Sequence, residues 1–325
     1  MSVNEPQAPP PGSTHLHHAE AEDFHVCSSE TAGEPLRSIG KLSMFIFPSL
    51  KKFNMTSPND RGALQIVNVI AFLSTVVMNI IANALPLNGK TTAELSDMYP
   101  NLFVPAGYVF FIWGVIYLLL LGFAVYQASK KRKHEEFLGR IGYYFALSAV
   151  ANISWLFLWH YEQVFLSVVP MFVLLGSLIM IYIRLDVGRW ERSREDRLLI
   201  SLPFSVYLGW ITVAPIANVT AALVKLNWDG FVLGEATWTV LMIGVAVLLT
   251  GMVIYTRADI GYSLVIAWAL GGIYTKQRAI PSISTASLIG IVAILVLLAA
   301  TRLGLMGQHR KSRGPSGTVE GMDGV

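Results

Sequence analysis

Amide and indole side chains recur at helical spacing in the apolar part of this 325-residue chain. Residues three or four apart share one face of a helix. Such a face offers flat surfaces for stacking and amide groups for hydrogen bonding, which suits the binding of an uncharged or weakly polar molecule. The spaced sets are Asn79 and Asn83; Asn152 and Trp155; and Tyr207, Trp210, Ala214 and Asn218.

The stretch from Pro105 to Tyr117 carries a further aromatic face. It opens an apolar run with Pro-Ala-Gly, and proline is tolerated at a helix start because first-turn N–H groups have no intrahelical partner. Tyr108, Trp113 and Tyr117 follow, and the last two share a face because they are four positions apart. We therefore predict a helix with an aromatic stripe inside a segment otherwise suited to lipid.

The composition indicates a membrane protein. Hydrophobic residues make up 54% of the chain and charged residues 14%, whereas soluble domains carry about 25% charged residues. Apolar runs long enough to cross roughly 30 Å of hydrocarbon recur along the chain. Basic residues lie beside these runs, so we predict the lipid bilayer as a partner and no nucleic-acid partner. The single cysteine, Cys27, excludes an intramolecular disulfide.

We predict an all-α, polytopic membrane helical bundle of about eight spans. The sequence places ionisable residues only at the ends of these spans, which weighs against a proton- or sodium-coupled pump. No catalytic residue, metal site or resident cofactor is predicted. The expected span bounds are 63–85, 104–127, 141–160, 163–183, 198–223, 237–255, 260–275 and 283–302.

The loop charges predict the orientation of the chain. Lysine and arginine favour cytoplasmic loops, and 20 of the 24 fall in the termini and alternate loops on one side. With eight spans, both termini are therefore expected to face the cytoplasm. The four exceptions, on the opposite side, are Lys90, Lys225, Lys276 and Arg278.

The polar and aromatic residues are expected at one depth. Trp113 and Asn218 lie in spans that run in opposite directions, yet both fall in the outer half, as do the asparagines of spans one and three. We therefore predict a cavity with aromatic walls and a few polar groups beneath loop 86–103. The alternative is that these side chains only pack helices together or form interfacial belts.

The second span resembles that of the translocator-protein family, which includes TspO, the peripheral benzodiazepine receptor and tryptophan-rich sensory proteins. That span begins Pro-Pro-x-Trp-Val-Phe-Gly-Pro-Val-Trp-Thr-x-x-Tyr. Residues 105–110 match its start, with Tyr108 in place of Trp. Trp113 and Tyr117 match its later Trp and Tyr, with one residue fewer before Trp113. Phe111-Ile112 replaces the family's Gly-Pro, so the helix curvature there is expected to differ.

Two further spans carry the same resemblance. Asn152 and Trp155 match the family's third-span Asn-x-x-Trp. The family's fifth-span pattern, Tyr-Leu-Ala-Trp-x-x-x-Ala-x-x-x-Asn, is matched by Tyr207, Trp210, Ala214 and Asn218. The resemblance covers about residues 63–228. It implies a five-helix bundle that binds tetrapyrroles, sterols and synthetic ligands in a cavity closed by the loop between spans one and two. A homodimer is also expected.

The chain thus divides into four parts. The resemblance assigns 63–228 to a translocator-like five-helix core, and 229–304 supplies three additional spans. Residues 1–62 and 305–325 are polar and are expected to be disordered tails. Within the first tail, the basic segment 36–53 either lies in the membrane interface or is a linker.

The predicted function is binding of a hydrophobic small molecule, such as a tetrapyrrole or sterol, with transport or sensing as its outcome. The alternatives are an uncoupled carrier or channel for a small solute, a membrane enzyme acting on a lipid or pigment, and a structural scaffold. In the binding hypothesis, tryptophans form stacking walls, asparagines form polar anchors, and a small residue leaves room for the ligand. These are Trp113, Trp155 and Trp210; Asn83, Asn152 and Asn218; and Ala214, with Asn79, Tyr108, Tyr117 and Tyr207 completing the predicted site.

Overall fold

The computed structural model describes residues 61–85, 87–189, 192–228 and 233–304. Across these residues all regular structure is helical, which confirms the all-α prediction. The expected tails, 1–62 and 305–325, lie outside the described residues except for residues 61 and 62, which begin the first helix. The basic segment 36–53 also lies outside them.

Eight helices of 17 residues or more form the described bundle, and each corresponds to one predicted span. We number them in chain order: α1 Arg61–Ala84, α2 Ile112–Ala128, α3 Tyr144–His160, α4 Val164–Arg184, α5 Leu202–Lys225, α6 Gly234–Arg257, α7 Ile260–Lys276 and α8 Pro281–Arg302.

Six of these helices are long and apolar enough to cross a membrane, when α2 is taken together with the 3₁₀ segment Gly107–Phe111 that precedes it. The other two, α3 and α7, have 17 residues each, which is about the shortest length that spans a bilayer core. A polytopic helical membrane bundle is therefore confirmed, and the count of eight spans stays a prediction.

Local sequence explains where several helices begin. Pro281 opens α8, where its missing N–H costs no hydrogen bond. The third span begins three residues later than predicted, because Gly142 interrupts the helical run with a φ of +54°. Glycine adopts this backbone conformation readily, whereas residues with a Cβ rarely do. A short helix, Glu136–Ile141, precedes that break.

The first five long helices close into a ring. In this ring α1 packs against α2 and α3, α4 packs against α3 and α5, and α5 returns to α2. The three remaining helices attach through α7, which packs on α5, while α8 packs on both α6 and α7. The described helices thus form a five-helix ring to which three C-terminal helices attach.

A buried carboxylate joins the two groups of helices. Asp259 lies at the start of α7 and is 7% exposed. Its two oxygens accept hydrogen bonds from the Tyr182 hydroxyl of α4 at 2.7 Å and the Ser205 hydroxyl of α5 at 2.6 Å. Because buried polar groups cost free energy unless they are paired, these bonds fix α7 against the ring.

Candidate functional site

The segment between α1 and α2 folds into a short helix, Thr92–Asp97. Its start is stabilised by reciprocal hydrogen bonds: the Thr91 hydroxyl accepts from the Glu94 N–H, and the Glu94 carboxylate accepts from the Thr91 N–H at 2.7 Å. This backbone hydrogen bond lowers the pKa of Glu94. We call residues 87–103 the lid.

Two ion pairs hold the lid to the ends of neighbouring helices. Lys90 lies 2.6 Å from the carboxylate of Glu162, in the turn between α3 and α4. The hydrogen bond from Lys90 lowers the pKa of Glu162. Lys276, at the end of α7, lies 3.4 Å from Asp97 of the lid helix. The lid is therefore attached both to the five-helix ring and to α7.

Two side chains at the end of α3 hold the first residue of the lid helix. The indole N–H of Trp159 donates to the Thr92 carbonyl at 3.4 Å, and the ring Nε2 of His160 lies 3.5 Å from the Thr92 hydroxyl. His160 is fully buried and its Nδ1 also contacts the Leu156 carbonyl at 2.8 Å. His160 thus serves as a buried contact between helix and lid.

A cavity lies beneath the lid. Its enclosed volume is about 60 Å³, within a wider space of about 670 Å³ that includes the open surroundings. The lid contributes Thr92, Ser96 and Phe103 to its lining, and most other walls come from α2, α3, α5 and α7. Five of the predicted site residues line it together: Trp113, Trp155, Trp210, Ala214 and Asn218.

The aromatic walls are fixed by contacts with one another. Trp155 and Trp159 stack with ring centroids 5.9 Å apart and an interplanar angle of 21°. Trp210 meets Trp113 edge to face at 6.2 Å and Phe110 at 5.8 Å. Such offset and edge-to-face pairs are favourable aromatic geometries, so the cavity has pre-formed flat surfaces.

Some of the polar groups at the cavity wall are hydrogen-bonded within the protein, and one is not. The Trp155 indole N–H donates to the Asn218 side-chain carbonyl at 2.8 Å, and the Asn218 amide donates to the Ser167 hydroxyl at 2.9 Å. The Trp210 indole N–H, by contrast, is buried and has no hydrogen-bond partner within the described part of the chain. It is a spare donor on a residue that lines the cavity.

Four predicted residues lie behind the lining. The Asn79 amide donates to the Asn152 carbonyl at 2.9 Å, and both side chains are buried. Tyr117 stacks on Trp113 at 5.6 Å, and Tyr207 meets the same indole edge to face at 6.0 Å. These residues position the cavity wall.

Two predicted residues lie elsewhere. Asn83 is exposed, and its side-chain carbonyl oxygen accepts a hydrogen bond from the Thr92 N–H at 3.4 Å, so Asn83 contacts the lid helix. Tyr108 is 41% exposed and meets Trp268 of α7 edge to face at 5.3 Å. The structure therefore brings Asn83 and Tyr108 to the periphery of the site.

The structure adds lining residues that the motifs did not identify. Trp159 lines the cavity, and its spacing of four from Trp155 was a usable signal. Ala269 and Ile273 of α7 also line it. They gave no signal, because the motif resemblance ended near residue 228.

The fold and the site define a polytopic membrane protein with a lidded, aromatic-walled cavity. Residues 65–300 match the sequence model of the family described as TSPO-like protein. Because this match covers well over half of the chain, the protein belongs to that family. The match also corrects the limit of the motif resemblance, since it continues through α6, α7 and into α8. No curated protein and no solved structure matches the chain.

Proposed function

We propose that the protein binds a hydrophobic small molecule, of tetrapyrrole or sterol type, in the cavity beneath the lid. The observation that carries this proposal is that Trp113, Trp155 and Trp210 line one cavity. Small-molecule sites are commonly concave and apolar, with aromatic walls and a few polar groups. A flat apolar ligand would stack on these indoles and leave its polar substituents near the lid.

The spare donor of Trp210 supports a ligand that carries a hydrogen-bond acceptor. A buried donor without a partner costs roughly 1–3 kcal/mol. A carboxylate, carbonyl or hydroxyl oxygen on the ligand would accept this hydrogen bond after a small adjustment of the indole. Tetrapyrroles carry carboxylates and sterols carry a hydroxyl, so both ligand classes meet this requirement.

We further propose that the lid faces away from the cytoplasm and that both termini are cytoplasmic. The lid is attached by Lys90 and Lys276, which belong to the small set of basic residues expected on the outer side. The positive-inside rule supports this orientation. The ligand would then enter when the lid separates from the ends of α3 and α7.

Saturable quenching of tryptophan fluorescence by protoporphyrin, with the full chain in detergent, tests the proposal. We expect the double variant Trp155→Phe, Trp210→Phe to raise the dissociation constant about tenfold, because phenylalanine offers a smaller stacking surface and lacks the Trp210 N–H donor, whose hydrogen bond would contribute about 0.5–1.5 kcal/mol. Trp238→Phe, which changes an indole of α6 outside the cavity lining, is the matched control. An unchanged dissociation constant in the double variant would refute the site.

A further inference from the structure

We propose that α7 builds an apolar subsite of the cavity and sets the size of the ligand substituent accepted there; this inference rests on the proposed binding function. The helix lies beyond residues 63–228, to which the five-helix resemblance applies. The role of α7 in the site therefore follows from its own contacts, with the cavity and with the segment that leads into α2, and not from the resemblance.

Two side chains of α7 form the wall of this subsite. Ala269 and Ile273 line the cavity and are 2% and 1% exposed. They are four residues apart and thus share one helix face. Val213 and Ala217 of α5 line the same cavity. Because all four side chains are hydrocarbon, the subsite favours an alkyl, alkenyl or aryl substituent over a polar one.

One to two turns before Ala269, α7 packs closely on α5. A Cβ added to Gly209 of α5 would lie 3.0 Å from both the Tyr262 carbonyl oxygen and the Val265 Cβ. This close approach accounts for the attachment of α7 to the ring. Ala269 and Ile273 follow after it, where the helix borders the cavity.

A second contact fixes α7 at the rim of the cavity. The Ala106 N–H donates to the Gly272 carbonyl at 3.1 Å, and the Trp268 indole N–H donates to the Val109 carbonyl at 3.1 Å. A Cβ at Gly272 would lie 2.2 Å from Val109 Cγ2, far inside van der Waals contact. The backbone of α7 is therefore held directly against the segment that precedes Trp113.

The size of residue 269 consequently controls the depth of the subsite. Since α7 is fixed before and after this position, a larger side chain cannot be accommodated by moving the helix away. Its additional volume would project into the cavity. Ala269 thus acts as a specificity-determining residue, and Ile273 limits the subsite one turn further on.

The test compares protoporphyrin dissociation constants, from saturable tryptophan quenching, for the full-length wild type and α7 variants in detergent. Ala269→Phe is expected to weaken binding about tenfold, as overpacking of a fitted site does. Adding Ile273→Ala to Ala269→Phe is expected to restore most of the lost affinity, because the smaller side chain at position 273 reopens space in the subsite. Ala299→Phe, which adds the same ring at an exposed position of α8, is expected to match wild type.

The outcomes separate this inference from the proposed function. Absence of saturable binding by the wild type would refute both. Wild-type binding with equal dissociation constants for Ala269→Phe and Ala299→Phe would overturn the subsite alone. If Ala269→Phe does not fold, Ala269→Val carries the same test with an expected loss of about threefold, and an unchanged constant there would again overturn the subsite.

Discussion

Trp155 and Asn218 are joined by a 2.8 Å hydrogen bond from the indole N–H to the side-chain carbonyl. They are 63 residues apart in sequence and come from α3 and α5. Asn218 also donates to Ser167 of α4 at 2.9 Å. One buried asparagine therefore connects three helices of the ring and sets the orientation of a tryptophan at the cavity wall.

Replacing Asn218 is expected to destabilise the bundle and to loosen the wall. Asn218→Leu leaves the buried Trp155 N–H without its acceptor, which costs about 1–3 kcal/mol of unfolding free energy. Chemical or thermal unfolding in detergent measures this loss. Thr256→Val, at an exposed site where the hydroxyl bonds only its own helix, should change stability far less. Equal stability of the two variants would show that the bond contributes nothing.

Two adjacent glycines of α7 give a sharp test of the rim contact. Gly272→Ala places a Cβ against Val109 and Pro105, whereas a Cβ at Gly271 meets nothing within 4 Å. We expect Gly272→Ala to cost about 1–3 kcal/mol of unfolding free energy through overpacking. Gly271→Ala should be neutral or slightly stabilising, because alanine favours helix over glycine. Val109→Ala should relieve the Gly272→Ala defect in part, because it removes the contact with Val109 Cγ2 and leaves the contact with Pro105. The absence of any rescue would contradict the close approach.

Asp259 is expected to be more important for stability than any single exposed acidic residue of the lid. Asp259→Ala leaves the buried hydroxyls of Tyr182 and Ser205 without their carboxylate acceptor, at about 1–3 kcal/mol for each buried group. Asp97→Ala, whose side chain is 73% exposed, should cost about 1 kcal/mol or less. Unfolding midpoints of the two variants in one detergent compare them directly. A larger loss for Asp97→Ala would contradict the structure.

The lid is expected to loosen in acid. The pKa of Glu162 is lowered by Lys90, and that of Glu94 is lowered by the Thr91 backbone. A lowered folded pKa means that the stabilisation is fully present above the ordinary glutamate value of about 4.3 and is lost as pH falls through the lowered value. Hydrogen exchange of lid amides should therefore accelerate, relative to helix-core amides, below about pH 4.

Removal of one carboxylate provides the control for the acid effect. Glu162→Gln cannot lose a charge, so its lid should exchange faster than wild type at neutral pH and show a smaller further increase in acid. A wild-type lid that exchanges equally at neutral and acidic pH would indicate that neither the Lys90–Glu162 ion pair nor the Glu94–Thr91 hydrogen bond holds it.

The sequence predicted the helices well because their apolar runs are long and bounded by charged loops. The eight long helices and the gathering of Trp113, Trp155 and Asn218 at one cavity followed from helical spacing and from the family motifs. The missing residue before Trp113 coincides with a 3₁₀ segment, Gly107–Phe111. This form rises about 2.0 Å per residue rather than 1.5 Å, so fewer residues cover a similar length.

The contribution of α7 was beyond the reach of the sequence. Ala269 and Ile273 are ordinary residues of an apolar helix, and it is the tertiary contacts of α7 with α5 and with the segment before Trp113 that bring them to the cavity. The peripheral position of Asn83 was also missed, since a spacing of four from Asn79 fixes the helix face but not which helix covers its last turn. The spacing of residues along a helix predicts which side chains share a face, whereas the packing of neighbouring elements decides whether that face is buried.

An experimental structure of the protein determined with protoporphyrin tests the central claim most directly. We predict that the porphyrin ring lies beneath the helix Thr92–Asp97, in contact with Trp113, Trp155 and Trp210, with one edge against Ala269. A porphyrin bound at the lipid-facing surface, with the space between these tryptophans filled by protein side chains, would contradict the account.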